Sequence, residues 1–223
     1  YTANYVARSM VMKETKLLGL IVANIDNPFM SEMAYHIEMR AREHGYNLML
    51  CNSAHDLNLE RNVFELLVSR QVDGIILVPS NAESYVNLKP LISKVPTVFV
   101  SENLRDLPES YVSVDNYRGT HIGTEYLYSL GHRNILYFGQ RKGSVTHQLR
   151  AEGYIDACKE LGIEPNLFSS SYPLSSVQAG SQMAKQIFAS PFPYTAIFAA
   201  TDSLALGVFA AAEEAGIRIP EDV

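Results

Sequence analysis

Cysteine is nearly missing from this chain of 223 residues, with Cys51 and Cys158 the two present. Both sit inside apolar, regularly patterned stretches and read as small buried hydrophobes, so no disulfide framework is implied. Long apolar runs are missing too. The longest, "GIILVP" and "AIFAA", fall far short of the ~20 residues that a membrane-spanning helix needs. No charged segment followed by an apolar one opens the chain as an export signal would. A cytoplasmic protein with no membrane partner is the expectation. Positive charge is also scarce: the formal net charge is −6. That argues against the globular body being a nucleic-acid surface, because phosphate contacts need clustered Lys and Arg. The first sixteen residues differ, since Arg8, Lys13 and Lys16 outnumber Glu14 there.

Signatures of catalysis are absent as well. There is no G-x-S-x-G elbow, no phosphate loop ending in Gly-Lys-Ser/Thr, and no G-x-G-x-x-G after the first apolar run. His36, His44, His55, His121, His132 and His147 form no i,i+4 metal pair and have no Cys-x-x-Cys beside them. Neighbouring carboxylates such as Glu213 and Glu214 face different sides of a helix. No enzyme activity, metal or cofactor is expected.

What is present is a regular alternation. "KLLGLIVAN" (16 to 24), "YNLMLCN" (46 to 52), "VDGIILVP" (72 to 79) and "VPTVFV" (95 to 100) are continuous apolar runs, as in parallel strands covered on both faces. Between the first two, Asn27 offers a cap, Pro28 the first helical position, and Met30, Met33, Ile37 and Ala41 an apolar stripe, with Gly45 just past the end. Helical patterns recur at 57 to 70, 82 to 93 and 116 to 131, giving an α/β fold layered helix, sheet, helix. After Gly131 the series restarts with strand 134 to 139, a helix from about Thr146 to Leu161 closed by Gly162, and a Ser-rich connection. A helix over 176 to 189, a strand over 194 to 200 and a helix over 202 to 216 follow. Two such series predict two lobes with a cleft between them. At 223 residues the chain can bury roughly 70% of its unfolded surface and folds without staples.

In open α/β sheets ligands bind beyond the carboxyl ends of the strands. The segments there are polar: "NIDNPFM", "NSAHD", "PSN", "SEN" and "VDN" in the first series, then Thr146 and Arg150, Tyr172, and Thr201 with Asp202 in the second. Carboxylates, a guanidinium, amides, hydroxyls and aromatic faces suit a sugar-like ligand. Capping competes with that reading, because Asn27, Asp115 and Asp202 all stand at helix starts.

Ahead of this body, Asn4 is a good N-cap and Val6, Ala7 and Met10 fall at near-helical spacing, so residues 5 to 13 read as two or three helical turns. So short a helix is marginal in water unless something packs on it.

The stretches "Y-x-x-N-x-x-A-R", "GLIVANIDNPF", "VDGIILVPS", "VDNYRG", "LGHRNI", the "R-x-x-GY" of Arg150 to Tyr154, "AIFAATDSLALG" and "GIRIPEDV" stand in the order shown by the lactose-repressor (LacI/GalR) family of bacterial transcription regulators. The chain resembles that family from end to end. The resemblance implies a periplasmic-binding-protein-like type I core of two Rossmann-like lobes, each with a parallel sheet flanked by helices. It also implies a homodimer, operator DNA as a partner, and a sugar or sugar phosphate effector controlling a repressor of carbohydrate-use genes. The alternative is an exported sugar-binding protein of a transporter.

By this resemblance residues 1–15 are the hinge helix and linker that end a DNA-binding domain, 16–131 the N-terminal lobe, and 132–223 an incomplete C-terminal lobe. A helix-turn-helix is expected before Tyr1 and a further strand after Val223. Asn4, Ala7, Arg8 and Met10 match the hinge that enters the minor groove, where apolar wedging kinks the duplex. The effector residues carried over are Asn27, Phe29, Asp115, Asn116, Thr146, Arg150, Tyr172, Thr201 and Asp202. Two departures stand out: Ala3 replaces the family's proline, and Thr201 stands where an asparagine is common, which bears on effector identity.

Overall fold

The apolar runs form parallel strands because their side chains are wanted on both faces of a sheet. In the computed structural model, which describes residues 14–101, 110–140, 143–169, 176–189 and 192–223, β1 (Leu17–Val22) lies between β2 (Asn47–Asn52) and β3 (Gly74–Leu77). Leu20 is in register with Leu50 on one side and Ile76 on the other. Alternate residues point oppositely along a strand. Leu20 and Val22 therefore meet Ala34, Met30, Met33 and Ile37 of α1 (Pro28–Glu43). Ile21 meets Phe64 and Leu67 of α2 (Leu57–Ser69) and Leu88 of α3 (Ser84–Ile92).

The sheet continues through β4 (Thr97–Val100) to β5 (Ser110–Val112), giving the order β2-β1-β3-β4-β5, all parallel. The helix starts follow the sequence signals: Asn27 caps α1 with Pro28 next, and Asp56 caps α2 through the amides of Asn58 and Leu59.

The second sheet has the order β7-β6-β8, formed by β6 (Ile135–Gln140), β7 (Asn166–Ser169) and β8 (Ala196–Ala199). With it go α4 (Asn116–Ser129), α5 (Val145–Leu161), α6 (Val177–Phe188) and α7 (Asp202–Ala215). Its core gathers Ile135, Tyr137, Phe138, Tyr154, Met183 and Leu204. Strand β7 was not among the expected elements, since Leu167 and Phe168 are too few to stand out as a run. The Tyr154 hydroxyl holds its start, accepting from the Asn166 amide at 2.9 Å and donating to the Ile135 carbonyl at 2.8 Å. Cys158 is buried and Cys51 half-buried, both with free thiols that burial pushes up.

The chain divides into two compact units between Ser113 and Val114, not between 131 and 132 as the sequence pattern suggested. The reason is the packing of α4. Its Thr120, His121 and Thr124 are buried, His121 Nε2 lies 3.1 Å from Glu160 Oε2, and Tyr117 donates its hydroxyl to Asp156 at 3.2 Å. Glu160 and Asp156 belong to α5, so α4 is part of the second unit. Two expected features lie outside the described residues: the hinge with Asn4, Ala7, Arg8 and Met10, and Tyr172.

Candidate functional site

In the first unit the polar residues beyond the strands act mostly on their own backbone. Asn27 Oδ1 accepts from the Phe29 amide at 2.9 Å, and Asn24 Oδ1 from the Asp26 amide at 3.0 Å. Ser31 donates its hydroxyl to the Ile25 carbonyl at 2.5 Å. Asn27 is thus a cap in fact. Phe29, carried at the second helical position, is 55% exposed, and a large apolar ring so placed is free to stack on a ligand face.

In the second unit the residues meet one another across elements. Arg150 lies one turn after Thr146 on α5. Its Nε donates to Asn116 Oδ1 at 2.8 Å and its Nη1 to the Ala200 carbonyl at 2.7 Å. Asn116 opens α4, is buried, and uses its Nδ2 to donate to the Val114 carbonyl at 3.1 Å. The guanidinium therefore ties the starts of α4 and α5 to the segment after β8, a placement that fixes its fork in one plane.

Gly153 is what permits this. A Cβ there would stand 2.2 Å from the Tyr117 carbonyl oxygen, so only glycine lets α5 come close enough to α4 for Arg150 to reach Asn116. The charge of Arg150 also reaches Tyr137 of β6. Burial pushes its hydroxyl up to about 12, while the charge of Arg150 acts the other way.

The remaining expected residues separate into caps and others. Asp115 caps α4, accepting from the Arg118 amide at 2.9 Å. At α7 the cap is Thr201, whose hydroxyl accepts from the Leu204 amide at 3.3 Å. Asp202, expected among the capping candidates, is instead the first helical residue. Its carboxylate is exposed and makes no hydrogen bond or ion pair among the described residues. Thr146 is buried at the start of α5. So Asn116, Arg150 and the Ala200 carbonyl are brought together, with Asp115 and Thr201 engaged locally. The Ala200 carbonyl had no sequence signal, because a backbone group carries none. Among the described residues no group of His, Cys, Asp and Glu could hold a metal ion, and no helix is long and apolar enough to cross a membrane.

A planar cation held on two sides, hydroxyls at helix starts and a carboxylate without a partner among the described residues are groups that can hydrogen-bond a hydroxyl-bearing ligand. Comparison with known proteins agrees with this character. The family model describing periplasmic binding proteins and the sugar-binding domain of the LacI family matches residues 15–223. The transcriptional regulator DegA of Bacillus subtilis is 31% identical over 227 residues, taking in 100% of this chain and 67% of DegA. The transcriptional repressor CytR of Escherichia coli is 29% identical over 224 residues, with 100% of this chain and 65% of CytR covered. The chain thus spans about two thirds of the length of these relatives. A solved periplasmic binding protein/LacI transcriptional regulator from Alkaliphilus metalliredigens, complexed with D-xylulofuranose, is 30% identical with a TM-score of 0.78, covering 93% of this chain and 76% of that one. By sequence and by fold alike, the chain belongs to the family of periplasmic binding proteins and LacI-type sugar-binding domains.

Proposed function

We propose that this chain is the effector-binding core of a cytoplasmic transcriptional regulator, a repressor of carbohydrate-use genes that works as a homodimer on operator DNA. Its effector is a sugar or sugar phosphate, and its part in the process is binding, not catalysis. The observation that carries the ligand class is the Arg150 guanidinium, oriented by Asn116 and the Ala200 carbonyl at the carboxyl end of a parallel sheet. Thr146, Thr201 and Asp202 stand at the helix starts around that end. A fork so held can donate to vicinal hydroxyls or to a phosphate. In the first unit, Phe29 supplies a ring for the apolar face of a sugar, with Asn27 beside it.

A regulator is favoured over an exported binding protein by the extent of the likeness. DegA and CytR align over the whole chain, including the residues ahead of Thr15 where the family model begins. Asn4, Ala7, Arg8 and Met10 lie in that stretch, and we assign them to DNA. Effector and operator are then linked by reciprocal coupling, each changing the other's affinity by the same factor.

A thermal-shift screen over sugars, sugar phosphates and purines tests the ligand class. A ligand present at one hundred times its Kd stabilises the fold by about 2.7 kcal/mol. Loss of that shift in Arg150→Ala, with folding retained, is expected. A shift of undiminished size in the variant removes Arg150 from the site.

A further inference from the structure

One carboxylate of the first unit stands where charge is hard to keep. Glu60 is on the first stretch of α2 and has no exposed surface. Burial pushes its carboxyl above the usual glutamate range, against the pull of the Ser84 and Ser80 hydroxyls and the Ser80 amide. Its Oε1 has no hydrogen-bond partner among the described residues. A leucine of similar volume would fill this place without desolvating a charge.

What leucine could not do is accept from Ser80. Glu60 Oε2 takes the Ser80 amide at 2.7 Å, beyond the end of β3. The Ser80 hydroxyl is 2.9 Å from that of Ser53, beyond β2, and Ser53 donates to the carbonyl of Val22, the last residue of β1, at 3.2 Å. A chain of polar contacts thus runs from α2 across the ends of three adjacent strands. It holds a loop that resists its own shape. Ala54 and His55 have φ of 50° and 58°, a left-handed region that non-glycine residues seldom occupy. The His55 amide is tied to the Ala23 carbonyl at 3.0 Å, and His55 Nδ1 lies 3.5 Å from the Ser80 carbonyl.

We infer that Glu60 is a positioning residue for the first unit's ligand loops, fixing Ser53–Asp56 and Ser80–Asn81 through the Ser80 amide without touching the ligand. The inference rests on the ligand-binding reading above for its consequence, but not for its geometry. Two measurements keep the two apart. The first is hydrogen exchange in the unliganded chain. In Glu60→Leu the amides of Ser80 and His55 exchange about tenfold faster or more, while those of Leu20 and Ile76 change no more than global stability requires. Glu60→Gln restores near-native rates, because its amide oxygen still accepts from Ser80. If the leucine variant does not fold, Glu60→Asp serves: one methylene short of Ser80, it is expected to speed Ser80 exchange where the glutamine variant does not.

The second measurement is calorimetric titration with D-ribose, D-glucose and D-xylulose at a temperature where every variant is folded. The Kd of whichever sugar binds rises about tenfold in Glu60→Leu or Glu60→Asp and less than about threefold in Glu60→Gln. A lowered Tm with unchanged Kd reduces Glu60 to fold support and overturns the inference. So does equal acceleration of exchange across the whole sheet, or none at Ser80. Should the unmodified chain bind no sugar, the proposed ligand class fails, and exchange at Ser80 and His55 alone decides Glu60.

Discussion

The two units finish their parallel sheets in different ways. At the carboxyl end of the first, side chains close back on their own backbone: Asn27 on Phe29, Asn24 on Asp26, Asp56 on Asn58 and Leu59. Contacts that cross from strand to strand there include a buried set among Glu60, Ser80 and Ser53 and an exposed one from the Ile25 amide to Asn52 Oδ1. At the corresponding end of the second, one long side chain does the crossing: Arg150 reaches both Asn116 and Ala200. In the first unit short capping residues leave the Phe29 ring exposed, whereas in the second a half-buried guanidinium is held by two oxygens from different elements. On the proposed function, the first unit separates positioning from ligand contact and the second merges them.

The sharpest way to break this contrast is to push α4 and α5 apart. Gly153→Ala puts a Cβ against the Tyr117 carbonyl. We expect about 3 kcal/mol of destabilisation from such overpacking, measured by urea unfolding, together with loss of sugar binding as Arg150 leaves Asn116. Gly119→Ala is the control on α4, because nothing lies within 4 Å of its added Cβ. Being helical, it is expected to gain up to about 1 kcal/mol.

Next in size is Arg150→Ala. It leaves the buried Asn116 oxygen and the Ala200 carbonyl without this donor, at about 2 kcal/mol, so here loss of ligand comes with loss of stability. Phe29→Ala in the first unit should separate the two. Its ring is 55% exposed, and a change within about 0.5 kcal/mol of stability with weaker sugar binding is expected. Equal losses in both measures for both variants would erase the distinction between the units.

Much of the scaffold was legible in the sequence, and much of the site was not. Most strands, the helices and most caps followed from apolar runs, Asn27-Pro28 and Gly162, because those signals are local. The division at 113/114 was not legible, since α4 follows a strand of one unit and packs on a helix of the other. Glu60 left a trace that went unused: with Phe64 and Leu67 it occupies one helical face at i, i+4 and i+7, a charge on the buried stripe. Arg150 was read as a ligand residue from its place beyond a strand. Its attachment to a backbone carbonyl fifty residues away has no sequence signature.

A smaller effect distinguishes Glu60 by pH. Its carboxyl is raised in the folded state by burial, so the native state holds the proton more tightly than the unfolded one. This contribution to stability is fully present below the ordinary glutamate range and is lost as pH rises through the raised native value. His55, an ionisable side chain whose ring reaches the Ser80 carbonyl, is replaced by glutamine in both proteins compared so that its charge plays no part. Against that background, Glu60→Gln should flatten the stability slope in this window, as read from urea midpoints at a series of pH values. A slope shared by both proteins would assign the titration to another group.

The smallest effect is expected from Tyr137→Phe, and its sign matters more than its size. Tyr137 has no exposed surface, stacks on Tyr154 at 5.3 Å and meets Phe198 edge-on at 6.1 Å. Its hydroxyl has no hydrogen-bond partner among the described residues. Phenylalanine keeps both ring contacts and removes the isolated hydroxyl, so a gain of about 1 kcal/mol is expected, a rise of about 2–4 °C in Tm. The charge of Arg150 does act on this hydroxyl, which supplies the opposing case. If the variant is instead destabilised, the hydroxyl helps to hold the guanidinium, and a double-mutant cycle with Arg150→Ala would show coupling above about 0.5 kcal/mol. Stabilisation without coupling leaves the Tyr137 hydroxyl no part in orienting Arg150. The second unit would then gain from losing a hydroxyl that holds nothing among the described residues, whereas in the first unit the removal of Glu60 releases the Ser80 amide.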